Sequence, residues 1–311
     1  MSTARPQVSV PIPALLGRYR PISILGHGGM ATVYRAVDES LGRDVAVKMF
    51  RTGAAADLTR HQDEARVLAS LSHHGIVTLL DAGIDDSDPA ERHPFLVMEL
   101  VEGINLERTL AQRELHAREI SEIAYDIAEA LEFVHAHNVV HRDIKPANIM
   151  LVEYGTTVFR TRARLTDFGI ALDSLNMHDS AEQATTGTAA YMSPEQVQRH
   201  DVTPASDVYS LGLVLLQCFT RELAFPGTRV ESAVARLGVD PKIPAELPDH
   251  WAPILRSMLA RDPAERPPIV ELTGAFRQNV IADSSRHRVE AGEDAGSDPD
   301  SASDPDASFR T

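Results

Sequence analysis

Cysteine is all but missing from this sequence: the 311-residue chain holds one, Cys218. That excludes a disulfide within the chain and a structural zinc site built of cysteines alone. Basic residues are scarce beside acidic ones, 30 Lys and Arg against 45 Asp and Glu, for a formal net charge of −15. A protein that coats DNA or an anionic membrane carries the opposite balance, so nucleic acid is not an expected partner. A local anion site stays open to it, because a few side chains and backbone amides suffice to build one. Long apolar runs are missing as well. The most apolar stretch, Val208 to Phe219, has 12 residues, against about 20 for a membrane span. Met1 to Pro13 carries Pro6, Pro11 and Pro13 and no apolar run of signal-peptide length, so no secretory signal is expected. No internal repeat stands out. These absences describe an acidic protein of a reducing, cytoplasmic compartment.

What is present can fold. Hydrophobic residues make up 43% of the chain and charged residues 24%, enough for a core, and the length leaves room for roughly two lobes. Residues 1–16 read as a loose Pro-rich arm. Residues 283–311 read as a disordered acidic tail rich in Ser and Asp, with eight acids and three arginines for a net charge of −5. Such a composition buries too little surface to offset its ordering entropy. Between them the character changes near residue 101. Residues 17–101 carry short β-rich runs: Ile22–Leu25, Thr32–Val37, Val45–Phe50, Ile76–Leu80 and Phe95–Leu100. One helix, Asp57–Leu71, is expected among them. Residues 102–282 are mainly helical. Ile120–His137 places Ile120, Ile123, Ala124, Ile127, Ala128, Leu131 and Val134 at helical spacing. Val208–Phe219 is apolar nearly all round and predicts a helix buried on every side. A β-rich small lobe followed by a helical large lobe is an α+β pattern.

Four strings carry chemistry. Leu25-Gly26-His27-Gly28-Gly29-Met30-Ala31-Thr32-Val33 lies between two strand-like runs. Glycines there let backbone N–H groups approach a phosphate, although a ligand-free glycine hairpin would look the same. A strand rather than a helix follows it, which disfavours a dinucleotide fold. Val45-Ala46-Val47-Lys48 puts a lysine on an apolar strand, where it must meet water, a carboxylate or a ligand phosphate. Glu64, on the inward face of the expected helix, is the carboxylate on offer. Val140-His141-Arg142-Asp143-Ile144-Lys145-Pro146-Ala147-Asn148-Ile149-Met150 is the densest cluster. Asp143 can accept a proton or orient a hydroxyl, and the Asn148 amide oxygen can ligate a hard cation. In Leu165-Thr166-Asp167-Phe168-Gly169, Asp167 can supply a second oxygen ligand to Mg²⁺.

Together, and in this order, the strings resemble the eukaryotic-type (Hanks-type) serine/threonine protein kinases, especially the bacterial branch. So do Gly187-Thr-Ala-Ala-Tyr191, Ser193-Pro-Glu195, Ser206-Asp-Val-Tyr-Ser-Leu-Gly212 and Asp262-Pro-Ala-Glu-Arg-Pro267. The resemblance covers about residues 17–280 and implies a bilobal protein-kinase-like α+β fold: a small antiparallel β-sheet lobe with one helix, and a larger, mainly helical lobe. It implies transfer of the γ-phosphoryl group of Mg-ATP, with Mn²⁺ as an alternative, to serine or threonine hydroxyls of protein substrates. By the same resemblance Leu25 is a nucleotide-binding residue, Gly26–Gly29 cover the ATP phosphates, Lys48 holds the α- and β-phosphates and pairs with Glu64, and Asp143 takes the hydroxyl proton. Lys145 touches the γ-phosphate, and Asn148 and Asp167 hold the metal. Val33, Ala46 and Met150 sandwich adenine, Met98 is the gatekeeper, and backbone groups of Glu99 and Val101 bond the adenine edge. The segment Asp173–Thr188 resembles an activation loop. Thr185 and Thr186 are its expected phosphate acceptors, Arg142 the group that binds the phosphate, and Thr188 a threonine near Asp143 and Lys145. A homodimer for trans-autophosphorylation is a further implied partner. Glu195 and Arg266 match a buried ion pair, and Asp207 an anchor for the His141–Arg142 backbone.

A catalytically impaired pseudokinase scaffold and a small-molecule kinase are the alternatives. The first would normally lose Lys48, Asp143 or Asp167, and the second would usually lack the Ser193-Pro-Glu195 and Arg266 pairing. Three features depart from the pattern: Ala31 in place of a glycine, a small insertion at Asp85–His93, and a lengthened turn over residues 153–163. Arg160, Arg162 and Arg164 alternate there and are expected to face water, with docking of a partner as the second reading. Ser297, Ser301 and Ser303 in the tail are candidate phosphorylation targets, and the tail a candidate mask for a basic groove.

Overall fold

A computed structural model describes residues 14–28, 31–50, 69–87, 92–154, 160–167 and 189–294. Five strands, β1 (Tyr19–His27), β2 (Ala31–Asp38), β3 (Arg43–Phe50), β4 (Leu79–Asp85) and β5 (His93–Glu99), form an antiparallel sheet in the order β1-β2-β3-β5-β4. Period-two alternation sorts its side chains. Val45 and Val47 are fully buried on one face with Phe95, Val97, Ala36, Tyr19 and Leu15. Ala46 and Lys48 alternate with those valines and therefore point the other way. Ala46 pairs with Met98 across the β3–β5 ladder, and Lys48 pairs with Val33 across β2–β3. On that second face Ala46, Val77 and Met98 form a separate apolar cluster, with Val33, Leu79, Leu100 and Val101 packed against it.

The expected strand at Ile76–Leu80 is displaced to Leu79–Asp85. Ile76 makes only an isolated bridge to Leu165, fixed by Val77 N–H to the Leu165 carbonyl (2.8 Å) and Leu165 N–H to the Gly75 carbonyl (2.8 Å). The apolar run registers burial at a crossing rather than membership of the sheet.

The remainder is mainly helical. A three-stranded ladder, β6 (Ile104–Asn105), β7 (Ile149–Tyr154) and β8 (Arg160–Leu165), lies beside α1 (Leu106–Gln112) and α2 (Ala117–Ala136). Helix α2 buries Ile120, Ile123, Ala124, Ile127, Ala128, Leu131 and Val134, the stripe its sequence spacing predicts. Next come α3 (Pro194–Gln198), α4 (Pro204–Thr220), α5 (Arg229–Gly238), α6 (Trp251–Met258) and α7 (Ile269–Asp294). Helix α4 starts a turn before the apolar run, with Pro204 in its first turn, and buries twelve residues on all sides. At Gly212 an added Cβ would lie 3.0–3.1 Å from Leu259 and Met258 atoms, so this close crossing with α6 needs the missing side chain. Trp251 stacks on Phe276 (5.6 Å) and meets Phe219 edge-on (5.0 Å) at the far end of the same core.

Two expectations need correcting. The tail does not begin at 283, because α7 runs on to Asp294. Asp283 is 3% exposed and accepts from Ser121 Oγ at 2.5 Å, with His250 Nε2 at 3.2 Å. Composition grouped this aspartate with the solvated acids that follow it, whereas polar partners on α2 and ahead of α6 let it be buried. Of the three alternating arginines, Arg162 and Arg164 do not simply face water either. Arg164 is 12% exposed and pairs with Glu99, and Arg162 reaches Asp126 at 3.1 Å. Of the other expected features, residues 1–13, most of the Asp57–Leu71 helix with Glu64, Gly29, Phe168, Gly169, the threonines 185, 186 and 188, and the tail beyond 294 lie outside the described residues.

Candidate active site

The loop between α2 and β7 carries the densest motif, and α4 fixes it from below. Asp207, 1% exposed in the first turn of α4, accepts from the backbone N–H of His141 (2.8 Å) and of Arg142 (2.8 Å). His135 Nε2 lies 2.8 Å from the same carboxylate. Gln196 of α3 donates to the Arg142 carbonyl at 2.8 Å. Arg142 needs these ties: its φ of 68° is a left-handed conformation that costs a non-glycine residue of order 1–3 kcal/mol. Sequence reasoning found Asp207 and missed Gln196 and His135. A signal for Gln196 exists, since Ser193-x-x-Gln196 is a capping-box pattern and its reciprocal bonds are made. For His135 the sequence offers none.

From that base the polar groups converge. Lys145 Nζ lies 2.7 Å from Asp143 Oδ2, and Asn148 Nδ2 donates to the same oxygen at 3.0 Å and to the Asp143 carbonyl at 2.9 Å. The Asn148 carbonyl accepts from Thr166 N–H at 3.0 Å, and His141, fully buried, reaches the Thr166 carbonyl at 3.2 Å. Burial pushes the His141 imidazole below its ordinary pKa, toward the neutral form. These bonds fix Thr166, the residue before Asp167, against Asn148 and His141. Asp167 also has a left-handed φ, 60°. Its carboxylate meets Lys48 Nζ at 2.8 Å, a contact between the sheet and the helical part. Burial would raise the Asp167 carboxyl, but Lys48, Lys145 and His141 outweigh it and hold the group below the usual carboxylate range. Lys48 thus meets Asp167; Glu64, its expected partner, is outside the described residues.

The residues expected to form the nucleotide loop lie on β1, β2 and the turn between them. Gly28 N–H closes a turn on the Ala31 carbonyl at 2.8 Å, and His27 Nδ1 lies 3.2 Å from Thr32 Oγ1. Leu25 is exposed, Val33 is half-buried, and Ala46 and Met98 are each below 10% exposed. Met150 lies half-buried in β7, opposite Asn105. Glu99 gives its N–H to the Thr78 carbonyl (3.0 Å) and accepts from Thr78 N–H on its side chain (2.7 Å). Arg164 bonds that carboxylate and the Ile76 carbonyl (2.7 Å). The arginine two residues before Thr166 therefore braces the strand end that carries Met98. A basic alternation read as a solvated face hid it.

Asn148 and Asp167 offer an amide oxygen and a carboxylate, the hard donors that Mg²⁺ or Mn²⁺ takes. The Asn148 amide nitrogen is spent on Asp143, which fixes the flip and turns its oxygen the other way. The pair fits a divalent cation. Among the described residues, no helix is long and apolar enough to cross a membrane.

The family described as protein kinase domain matches residues 19–275 of this chain. The serine/threonine-protein kinase PknA of Mycobacterium tuberculosis is 36% identical over 271 residues, 84% of this chain and 60% of that protein. The serine/threonine-protein kinase PknB of Mycolicibacterium smegmatis is 38% identical over 261 residues, 81% of this chain and 40% of that protein. The chain thus spans at most 60% of the length of these two curated relatives. A crystal structure of a double mutant of the Mycobacterium tuberculosis PknI kinase domain superposes with a TM-score of 0.66 at 27% identity, over 84% of this chain and 95% of that one. Antiparallel sheet, helical base and the loops meeting between them are the bilobal α+β architecture of that domain, and the chain belongs to the protein kinase domain family.

Proposed function

We propose that this chain transfers the γ-phosphoryl group of ATP to serine and threonine hydroxyls of protein substrates. The observation that carries this is the unbroken run of contacts from Lys145 through Asp143 and Asn148 to Thr166, with Asp167 next in sequence and in contact with Lys48. Both Lys145 and Asn148 take Asp143 Oδ2, which leaves Oδ1 to receive the substrate proton. As the hydroxyl oxygen bonds to the γ-phosphorus, the bond to the β-phosphate bridging oxygen breaks, ADP leaves, and the hydroxyl proton passes to Asp143. Lys145 neutralises charge on the transferring group, and Lys48 holds the nucleotide phosphates. Asn148 and Asp167 would hold the divalent ion, which supplies charge neutralisation at the phosphates; we assign Mg²⁺, with Mn²⁺ able to replace it. The apolar cluster of Val33, Ala46, Val77 and Met98 takes the adenine ring, with Met150 beneath it and the backbone of Glu99 and Val101 at its edge.

The partners under this reading are protein substrates, including a second copy phosphorylated in trans at Thr185 or Thr186, and not nucleic acid. We place the activity in the cytoplasm, where ATP is supplied. Lys48, Asp143 and Asp167, of which a scaffold without activity would normally lose one, are all present in the sequence, which supports the catalytic reading. The test is incubation with ATP and a protein mixture in Mg²⁺, in Mn²⁺ and in chelator, with modified residues mapped by mass spectrometry. Phosphoserine and phosphothreonine that depend on the metal are expected; phosphate on small molecules alone, or on nothing, would overturn the reading.

A further inference from the structure

Helix α5 is built inside out. Val230 and Val234 are 70% and 63% exposed, while Arg236 is 0% exposed and Ser232 3%. Arginine is almost never fully buried without a paired charge, yet among the described residues no carboxylate lies within ion-pair distance of its guanidinium. Burial lowers its pKa for that reason. What the guanidinium meets instead is main chain. Nη1 donates to the Met192 carbonyl and Nη2 to the Ala190 carbonyl (3.2 Å). Ser232 braces it through its own carbonyl (3.1 Å) and Oγ (2.8 Å), and the Phe225 ring packs 5.3 Å from its Cζ. The carbonyl between those two, on Tyr191, accepts from Ser210 Oγ of α4 at 2.8 Å. Three consecutive peptide planes are therefore fixed from below by two different helices.

The fixed segment leads directly to the site. It runs into Ser193, the cap of α3, and Gln196 of α3 donates to the carbonyl of Arg142, the neighbour of Asp143. Ala190 and Met192 are only half-buried, so the segment keeps a face open to solvent. Arg236, buried beneath the segment, does not line that face.

We propose that Arg236 is a positioning residue for the protein substrate: it holds the 190–192 segment as a rigid platform that presents the acceptor hydroxyl to Asp143. This rests on the protein-kinase reading above and adds a specificity role to a residue outside the nucleotide site. A buried guanidinium with carbonyl partners suits the task because its planar fork fixes several acceptors at once, which an ammonium cannot do.

The test compares wild type, Arg236→Met, Arg236→Lys and Ser232→Ala in the full chain. It measures kcat and KM for a protein substrate, KM for ATP, and ATP hydrolysis without protein substrate. For Arg236→Met the protein-substrate KM should rise about tenfold or more, the mark of lost substrate binding, while the KM for ATP and the hydrolysis rate stay within about twofold. Arg236→Lys should recover part of the loss, and Ser232→Ala should raise the protein KM about threefold. An unchanged protein KM in folded Arg236→Met, or a parallel loss of ATP affinity and hydrolysis, would overturn the proposal. If Arg236→Met fails to fold, Ser232→Ala decides: an unchanged protein KM there rejects the platform. Failure of the kinase reading would look different, since wild type would then transfer no phosphate to any protein.

Discussion

Replacing Glu195 with glutamine should cost about 3 kcal/mol of stability. Its carboxylate accepts from Arg266 Nη1 at 2.7 Å and Nη2 at 3.0 Å, and from Ser206 Oγ at 2.5 Å. Both side chains are almost wholly buried, 0% exposed for Arg266 and 5% for Glu195. An amide in that place turns an N–H₂ toward one guanidinium N–H. It forfeits one charge-assisted bond, worth about 1.5–3 kcal/mol, and weakens the other. It also leaves a buried cation without its anion, which places the total in the range of about 3–5 kcal/mol for a broken buried pair. Arg266 keeps the carbonyls of Ala260 (2.8 Å), Ala205 (2.8 Å) and Arg261 (3.0 Å), which favours the lower end. Urea unfolding followed by Trp251 fluorescence measures the loss, since this only tryptophan is fully buried. The double variant Glu195→Met with Arg266→Met should cost less than the sum of its singles by about 2 kcal/mol. The effect has a pH signature. Burial would raise the Glu195 carboxyl, but Arg266 and Ser206 outweigh it and hold the group below the usual range. A depressed carboxyl contributes fully above its unfolded value, about 4.3, and loses that contribution as pH falls toward its native value. The gap between wild type and Glu195→Gln should therefore be constant from pH 7 to 5 and narrow below about pH 4. A gap under about 1 kcal/mol at pH 7, or one that does not narrow in acid, would refute the reasoning.

Asp207→Asn puts an N–H₂ against one of three N–H donors; kcat should fall about a hundredfold as Asp143 shifts, with ATP affinity nearly unchanged, as steady-state kinetics and nucleotide titration would show. Asp283→Asn weakens the Ser121 bond that pins α7, at a cost of about 1–3 kcal/mol. Limited proteolysis should then cut α7 near residue 283 faster than in wild type.

The strands and long helices were legible in the sequence because one face of each is apolar, as in α2, or all faces are, as in α4. Ile76 and Val77 misled because burial between two elements leaves the same apolar trace as a strand. The site was legible because its chemistry needs fixed residue types on short loops. Lys48, Asp143, Lys145, Asn148 and Asp167 fall into one contact chain from three separate strings. What stayed hidden acts through partners distant in sequence. Arg164 reads as one of three alternating surface cations until Glu99, 65 residues away, is placed beside it. Arg236 reads as the polar side of α5 until its carbonyl partners 44 and 46 residues away are known. Asp283 reads as tail until Ser121, 162 residues away, meets it.

Most of the proposed chemistry rests on Asp143 acting on the substrate hydroxyl and not on the nucleotide. Single-turnover phosphoryl transfer by Asp143→Asn, measured beside its ATP dissociation constant, addresses it directly. Transfer should slow about 10²–10⁴-fold, with ATP affinity within about threefold of wild type. Transfer at the wild-type rate, or transfer and ATP affinity lost together, would contradict it.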